Sequence, residues 1–145
     1  MPVSIEKTFR FEAGHRALGF KDRKEETLHG HTWHLRVIIE TGGDLGAQKT
    51  LFDTNALSRA VKPLIEELDH SFIIWSEDPL YGRLLEICEL GDIADKLYRV
   101  DFNPTAEGIV EYLFEKVNER LAGQAVALQR AELDATPTIR AAYWK

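Results

Sequence analysis

The chain has 145 residues, 44% of them hydrophobic, and a formal net charge of −6 at pH 7. That length and apolar content suit one folded unit with its own core, residues 1–145. Without a basic cluster, the acidic balance argues against a nucleic-acid partner held through its phosphates. No apolar run is long enough to span a membrane. The opening Met-Pro-Val-Ser-Ile-Glu-Lys has neither the basic start nor the apolar middle of a signal peptide. One cysteine, Cys88, excludes an internal disulfide and fits a reducing compartment. A cytoplasmic protein with small molecules or other subunits as partners is therefore expected.

Strand patterns come first. From Val3 to His15, the residues Val3, Ile5, Phe9, Phe11, Ala13 and His15 share one parity, predicting a strand over about 3–13. Residues 16–28 read as a loop carrying Lys21, Asp22, Arg23, Lys24, Glu25 and Glu26. A second strand is predicted over about 31–41. His29, His31, Trp33, Leu35, Val37 and Ile39 lie on one side of it, with Thr32, His34, Arg36 and Glu40 on the other; it ends at Thr41-Gly42-Gly43-Asp44. Helical spacing follows from Asp53 to Leu68, with Leu57, Ala60, Val61, Leu64, Ile65 and Leu68 on one face and Asp53 or Thr54 as cap. Pro63 inside that pattern predicts a kink or a late start. Glu77-Asp78-Pro79 opens a short helix to about Cys88, a residue read as a small buried hydrophobe, and Gly91-Asp92 breaks it. Lys96 to Phe102 reads as a short strand. Asn103-Pro104-Thr105 opens a second long helix with proline in the first turn; Ile109, Val110, Leu113, Phe114, Val117 and Leu121 form its buried stripe, and Gly123 ends it. Two strands, about 125–134 and 138–144, close the chain around Thr136-Pro137. The order implies an α+β layout, an antiparallel sheet with helices on one face, whose open edges invite self-association.

Leu28-His29-Gly30-His31, read with His15, carries the chemistry. Residues i and i+2 of a strand point to the same face, so His29 and His31 leave the backbone together. Gly30 between them adds no side chain. If the first two strands pair antiparallel, His15 arrives at the same edge. Each histidine alone reads as a polar surface or satisfied core residue. Together they offer three neutral imidazoles and an open position, the donor set of a catalytic zinc site. His34 has the other parity and reads as a solvent-side or interface residue.

The chain resembles the 6-pyruvoyl-tetrahydropterin synthase / 6-carboxytetrahydropterin synthase family. The resemblance runs over nearly its whole length and is carried by Phe11-Glu12-Ala13-Gly14-His15, Leu28-His29-Gly30-His31, Leu51-Phe52-Asp53, Leu68-Asp69-His70 and Asn103-Pro104-Thr105-Ala106-Glu107. It implies the tunnelling fold, a four-stranded antiparallel sheet with two long helices on one face. Subunits of that fold join into a barrel as trimers or hexamers, with the active site between them. It also implies zinc on His15, His29 and His31, and a dihydropterin substrate, typically dihydroneopterin triphosphate. Asp69 and His70 become the acid/base pair, and Thr105, Ala106 and Glu107 help frame the ligand. Without the family, Asp69-His70 reads as a helix end favoured by the dipole, and Glu107 as an acid near a helix start.

Two departures stand out. The family's usual cysteine before His-Gly-His is missing. Glu25 falls at its position, and Glu26 matches the spacing of a subgroup marked by glutamate, two residues, then His-Gly-His. That subgroup resemblance implies cleavage of the dihydropterin side chain to 6-hydroxymethyl-dihydropterin, as a dihydroneopterin aldolase would perform in folate synthesis. The other family reactions, 6-pyruvoyl- or 6-carboxy-tetrahydropterin formation (the latter in queuosine synthesis), remain the alternative. Second, the family's pterin-anchoring glutamate is replaced by Ala135 in Ala135-Thr136-Pro137-Thr138, with Glu132 and Asp134 as nearby substitutes. These departures leave open a non-catalytic zinc-binding relative, or an enzyme acting on another heterocycle. Lys21, Arg23 and Lys24 read either as triphosphate contacts or as a solvated loop.

Overall fold

The computed structural model describes residues 2–91 and 96–145. Strands β1 (Val3–His15) and β2 (His29–Thr41) pair antiparallel along their whole length, from Val3 opposite Thr41 to His15 opposite His29. Alternation dictates the outcome: Phe9, Phe11, Ala13, Trp33, Leu35, Val37 and Ile39 all go inside. The opposite parity, Thr8, Arg10, Thr32 and His34, stays exposed.

Helix α1 (Thr54–Leu68) starts where Asp53 accepts a capping bond from the Asn55 N–H at 2.9 Å. It runs through Pro63, which is exposed, so the late start expected from that proline does not occur. Strand β3 (Ser71–Trp75) follows two residues after α1, then helix α2 (Tyr81–Leu90) and strand β4 (Leu97–Val100). Helix α3 (Ala106–Arg120) and the hairpin β5 (Arg130–Thr136) and β6 (Ile139–Trp144) complete the chain.

Among the described residues the sheet has six strands in the order β4-β3-β1-β2-β5-β6, correcting the expected four. It is mixed rather than wholly antiparallel, because β3 runs parallel to both β1 and β4. β3 has no sequence signal because Ser71-Phe72-Ile73-Ile74-Trp75 is a short apolar run with no alternation, only two residues after a helix. The described residues form three α-helices, with α2 starting four residues later than Glu77 suggested. None of the α2 side chains is fully buried; Cys88 is half-buried, not buried as expected. Gly91 ends α2 at φ 75°, whereas Asp92 lies outside the described residues.

Helix α3 begins after Thr105, whose side chain accepts from the Gly108 N–H at 3.1 Å. Pro104 therefore precedes the cap instead of occupying the first turn. At the other end the helix stops at Arg120, and residues 125–129 lie before β5 rather than in it. The two long helices contribute Leu57, Val61, Leu64, Leu68, Ile109, Leu113, Phe114 and Val117 to one core cluster with the inner faces of β1, β2 and β5. Among the described residues, no helix is long and apolar enough to cross a membrane.

Candidate metal centre

The long β1–β2 ladder places the three histidines. His15 lies opposite His29, and His31 opposite Ala13. Their ring centroids are 4.6 Å (His15–His29), 5.1 Å (His15–His31) and 4.8 Å (His29–His31) apart. One ligand atom from each lies within 4.8 Å of the other two. Trp33, fully buried, supports the cluster, with its ring 5.0 Å from both His15 and His31 and its indole N–H donated to the Ala13 carbonyl at 3.1 Å. Gly14 faces Gly30 across the ladder, and a Cβ on Gly14 would come within 2.7 Å of the Phe72 ring. β3 therefore packs against β1 here only because that position has no side chain.

The tautomers are set by backbone carbonyls. His15 Nδ1 bonds the Pro104 carbonyl at 2.7 Å, and His29 Nδ1 bonds the Thr27 carbonyl. Each ring then carries its proton on Nδ1 and turns Nε2 to the cluster, the outer-shell arrangement of metal-ligating histidines. His15 Nε2 is buried without a hydrogen-bond partner among the described residues. An orphaned buried nitrogen is costly unless something binds it. Burial, against the opposing effect of the Pro104 bond, lowers the His15 pKa from 6.5 to about 4, with the neighbouring His29 and His31 adding to the drop. Burial and His29 likewise lower that of His31. Both rings stay neutral at pH 7, the form a metal requires. The three histidines are thus positioned to bind a metal ion, and three imidazoles with no thiolate suit zinc.

The two glutamates diverge. They sit in a single 3₁₀ turn, Lys24–Glu26. Glu25 puts Oε2 3.6 Å from His29 Nε2, beside the nitrogen that faces the cluster. Glu26 turns its carboxylate to Arg23.

Asp69 and His70 follow α1. The Asp69 carboxylate accepts the Glu12 N–H at 2.8 Å through Oδ1 and meets His70 Nδ1 at 2.9 Å through Oδ2. Those two bonds, the Glu12 one first, hold its pKa below the usual carboxylate value. His70 adopts φ 60°, the left-handed region that non-glycine residues avoid, and its N–H is held by the Glu12 carbonyl at 2.6 Å. It lines a cavity of about 430 Å³ together with Glu12, Gly14, Gly30, His31 and Thr32. The Asp-His pair and one candidate ligand therefore share one space.

The residues expected to frame the ligand are less directly placed. Thr105 uses its hydroxyl as the α3 cap, Ala106 is half-buried, and Glu107 is exposed in the first turn. Their segment reaches the cluster through Pro104. Ala135 lies on the core face and borders a second cavity, about 650 Å³, with His31, His34 and Arg36. A register shift between Asp134 and Thr136 marks a bulge in β5–β6. Asp134 also lines that second cavity, and both nearby acids are held by arginines. Glu132 is held by Arg36 at 2.8 Å and Arg130 at 2.9 Å, and Asp134 by Arg140 at 2.6 Å. Both have the parity opposite to Ala135 and the buried Ala131 and Leu133.

The Pro104 carbonyl and the Arg16–Asp78 pair have no signal in the sequence. His15 and Pro104 stand 89 residues apart, Arg16 and Asp78 62 apart, so no local pattern joins them.

Fold and site together define an α+β protein with three histidines positioned to bind a metal ion beside an Asp-His pair. A family model described as 6-pyruvoyl tetrahydropterin synthase matches residues 4–145, and the chain belongs to that enzyme family. It is 39% identical over 136 residues to the 6-carboxy-5,6,7,8-tetrahydropterin synthase of Aquifex aeolicus, covering 83% of this chain and 82% of that one. It is 29% identical over 123 residues to the dihydroneopterin monophosphate aldolase of Pyrococcus furiosus, covering 85% and 81% respectively. A crystal structure from Wolinella succinogenes shares the fold with a TM-score of 0.86 at 23% identity, over 100% of this chain and 99% of that one.

Proposed function

We propose that this protein is a zinc-dependent lyase acting on the side chain of a dihydropterin, with tetrahydropterin synthase activity of the 6-carboxy or 6-pyruvoyl type. The observation that carries the reading is the convergence of His15, His29 and His31, with the buried His15 Nε2 left unpaired. The name of the Aquifex relative favours synthase activity over side-chain cleavage. A bound zinc supplies a Lewis acid that lowers the pKa of side-chain hydroxyls and polarises a developing carbonyl.

The remaining chemistry belongs to the chain. His70 is the proton carrier: Asp69 fixes its tautomer through Nδ1 and stabilises the imidazolium, leaving Nε2 to exchange protons with a substrate in the shared cavity. Glu25 is the base, with its carboxylate beside His29. Glu26, paired with Arg23, supports the turn. Thr105, Ala106 and Glu107 border the substrate from the start of α3. Chains of residues 1–145 associate through sheet edges into a barrel, as trimers or hexamers in the cytoplasm.

A second reading has its own support. Glutamate in place of cysteine, and the name of the Pyrococcus furiosus relative, favour cleavage to 6-hydroxymethyl-dihydropterin. Incubating zinc-loaded protein with dihydroneopterin and with its triphosphate, followed by mass spectrometry of products, separates the two. A 6-carboxy- or 6-pyruvoyl-tetrahydropterin supports the first; 6-hydroxymethyl-dihydropterin supports the second. No conversion of either substrate contradicts both.

A further inference from the structure

The loop of residues 16–28 has a built fastening. Arg16 directs Nε and Nη2 to the two carboxylate oxygens of Asp78, each at 2.7 Å. Asp78 is 4% exposed. Its Oδ1 also accepts the Leu80 N–H at 2.8 Å, so both oxygens are satisfied and the fork is held in one orientation. The third guanidinium nitrogen of Arg16 donates to the Glu26 carbonyl at 3.3 Å. Next door, the Ala17 N–H donates to the Glu25 carbonyl at 2.8 Å. Leu18 and Asn103 exchange two bonds, at 2.9 and 2.8 Å. The bonds at Ala17, Leu18 and the Glu26 carbonyl act on the backbone of the loop and its turn, and none of the contacts involves the Glu25 carboxylate.

A surface loop does not require a buried bidentate ion pair. Such pairs are costly to desolvate and add little net stability, so their use is in fixing one geometry. Here the geometry fixed is that of the turn that carries Glu25, while Arg16 is covalently next to His15. The pair therefore ties the turn, the first candidate ligand and the β3–α2 connection into one rigid frame.

We propose that Arg16 and Asp78 are positioning residues: they latch the Lys24–Glu26 turn against the histidine cluster, keeping the Glu25 carboxylate beside His29. This rests on the reading of Glu25 as the base. Lysine cannot replace the fork, because its ammonium is a single point of charge.

The test uses zinc-loaded and cobalt-loaded whole protein, comparing Asp78→Asn, Arg16→Lys and Glu25→Gln. If Asp78→Asn does not fold, Arg16→Lys, which keeps a positive charge opposite Asp78, carries the test. Amide hydrogen exchange over residues 17–27 is expected to quicken in both latch variants, with metal content unchanged. The visible spectrum of bound cobalt is expected to change in the same sense as in Glu25→Gln. With a dihydropterin substrate, kcat is expected to fall about 10- to 100-fold with KM within about twofold. Unchanged loop exchange overturns the proposal, as does a loosened loop with unaltered cobalt spectrum and kcat. If the wild-type chain turns over no dihydropterin, the proposed function falls; the latch then stands or falls on exchange and the cobalt spectrum.

Discussion

The Nε2 of His15 is the atom whose chemistry decides most about this site. It is buried, without a hydrogen-bond partner among the described residues, and clustered with two other imidazoles. Its folded pKa is lowered by burial from 6.5 to about 4, so the fold favours the neutral ring and protonation favours the unfolded chain. Stability of the metal-free protein should be complete above pH 6.5 and decline as the pH falls toward 4. The span is on the order of 3 kcal/mol. Urea midpoints measured in chelator from pH 7.5 to 4 check this, and His15→Gln should flatten that part of the profile. The glutamates permit an equally direct comparison. Glu25→Gln should lower kcat at least 100-fold with zinc retained, while Glu26→Gln should cost less than tenfold; steady-state kinetics with metal analysis distinguish them. Equal losses would mean that the side-chain directions in the turn do not matter. At this scale the candidate ligands were legible, because parity on a strand fixes side-chain direction. Of their partners, the Thr27 carbonyl is local to His29, but Pro104 reaches His15 only through the fold.

Elements were legible in proportion to their periodicity. β1 and β2 alternate over 13 residues each, and the stripes of α1 and α3 repeat over four turns, so pattern alone identified them. The short strand read over Lys96 to Phe102 is present as β4, whereas β3, five residues and nearly all apolar, shows no period. The expected four-stranded antiparallel sheet came with the family resemblance, and β3 beside β1 and β4 makes the sheet mixed. Asn103-Pro104 misled for a related reason. A proline next to a helix start usually fills its first turn, but here its carbonyl is committed to His15 and the cap passes to Thr105. Thr105→Ala should therefore cost about 1 kcal/mol of stability through loss of the cap, measured by denaturant unfolding. Gly14→Val should be far more damaging, because its side chain meets Phe72 where β3 joins β1. The expected readout is a lowered thermal midpoint together with reduced metal retention. A fully stable, metal-replete Gly14→Val protein would mean that this close approach is not needed.

Across the whole molecule, both long helices and the core lie on one side of the sheet. The other side carries Glu6, Arg36, Arg130, Glu132, Asp134 and Arg140, cross-linked by ion pairs. A charged sheet face with open edges at β4 and β6 is consistent with closure by further copies, and Ile139 and Trp144 are exposed on the edge strand β6. Light scattering behind size exclusion should give three or six chains per particle, and a monomer would remove the barrel from the account. The central claim, that three imidazoles hold one metal ion in a site open to substrate, is tested most directly by X-ray absorption at the zinc edge of the untagged protein. One zinc per chain is expected, with three imidazole nitrogens at about 2.0–2.1 Å and oxygen completing the shell. A protein that retains no zinc, or a spectrum showing sulfur from Cys88 in the shell, would contradict it.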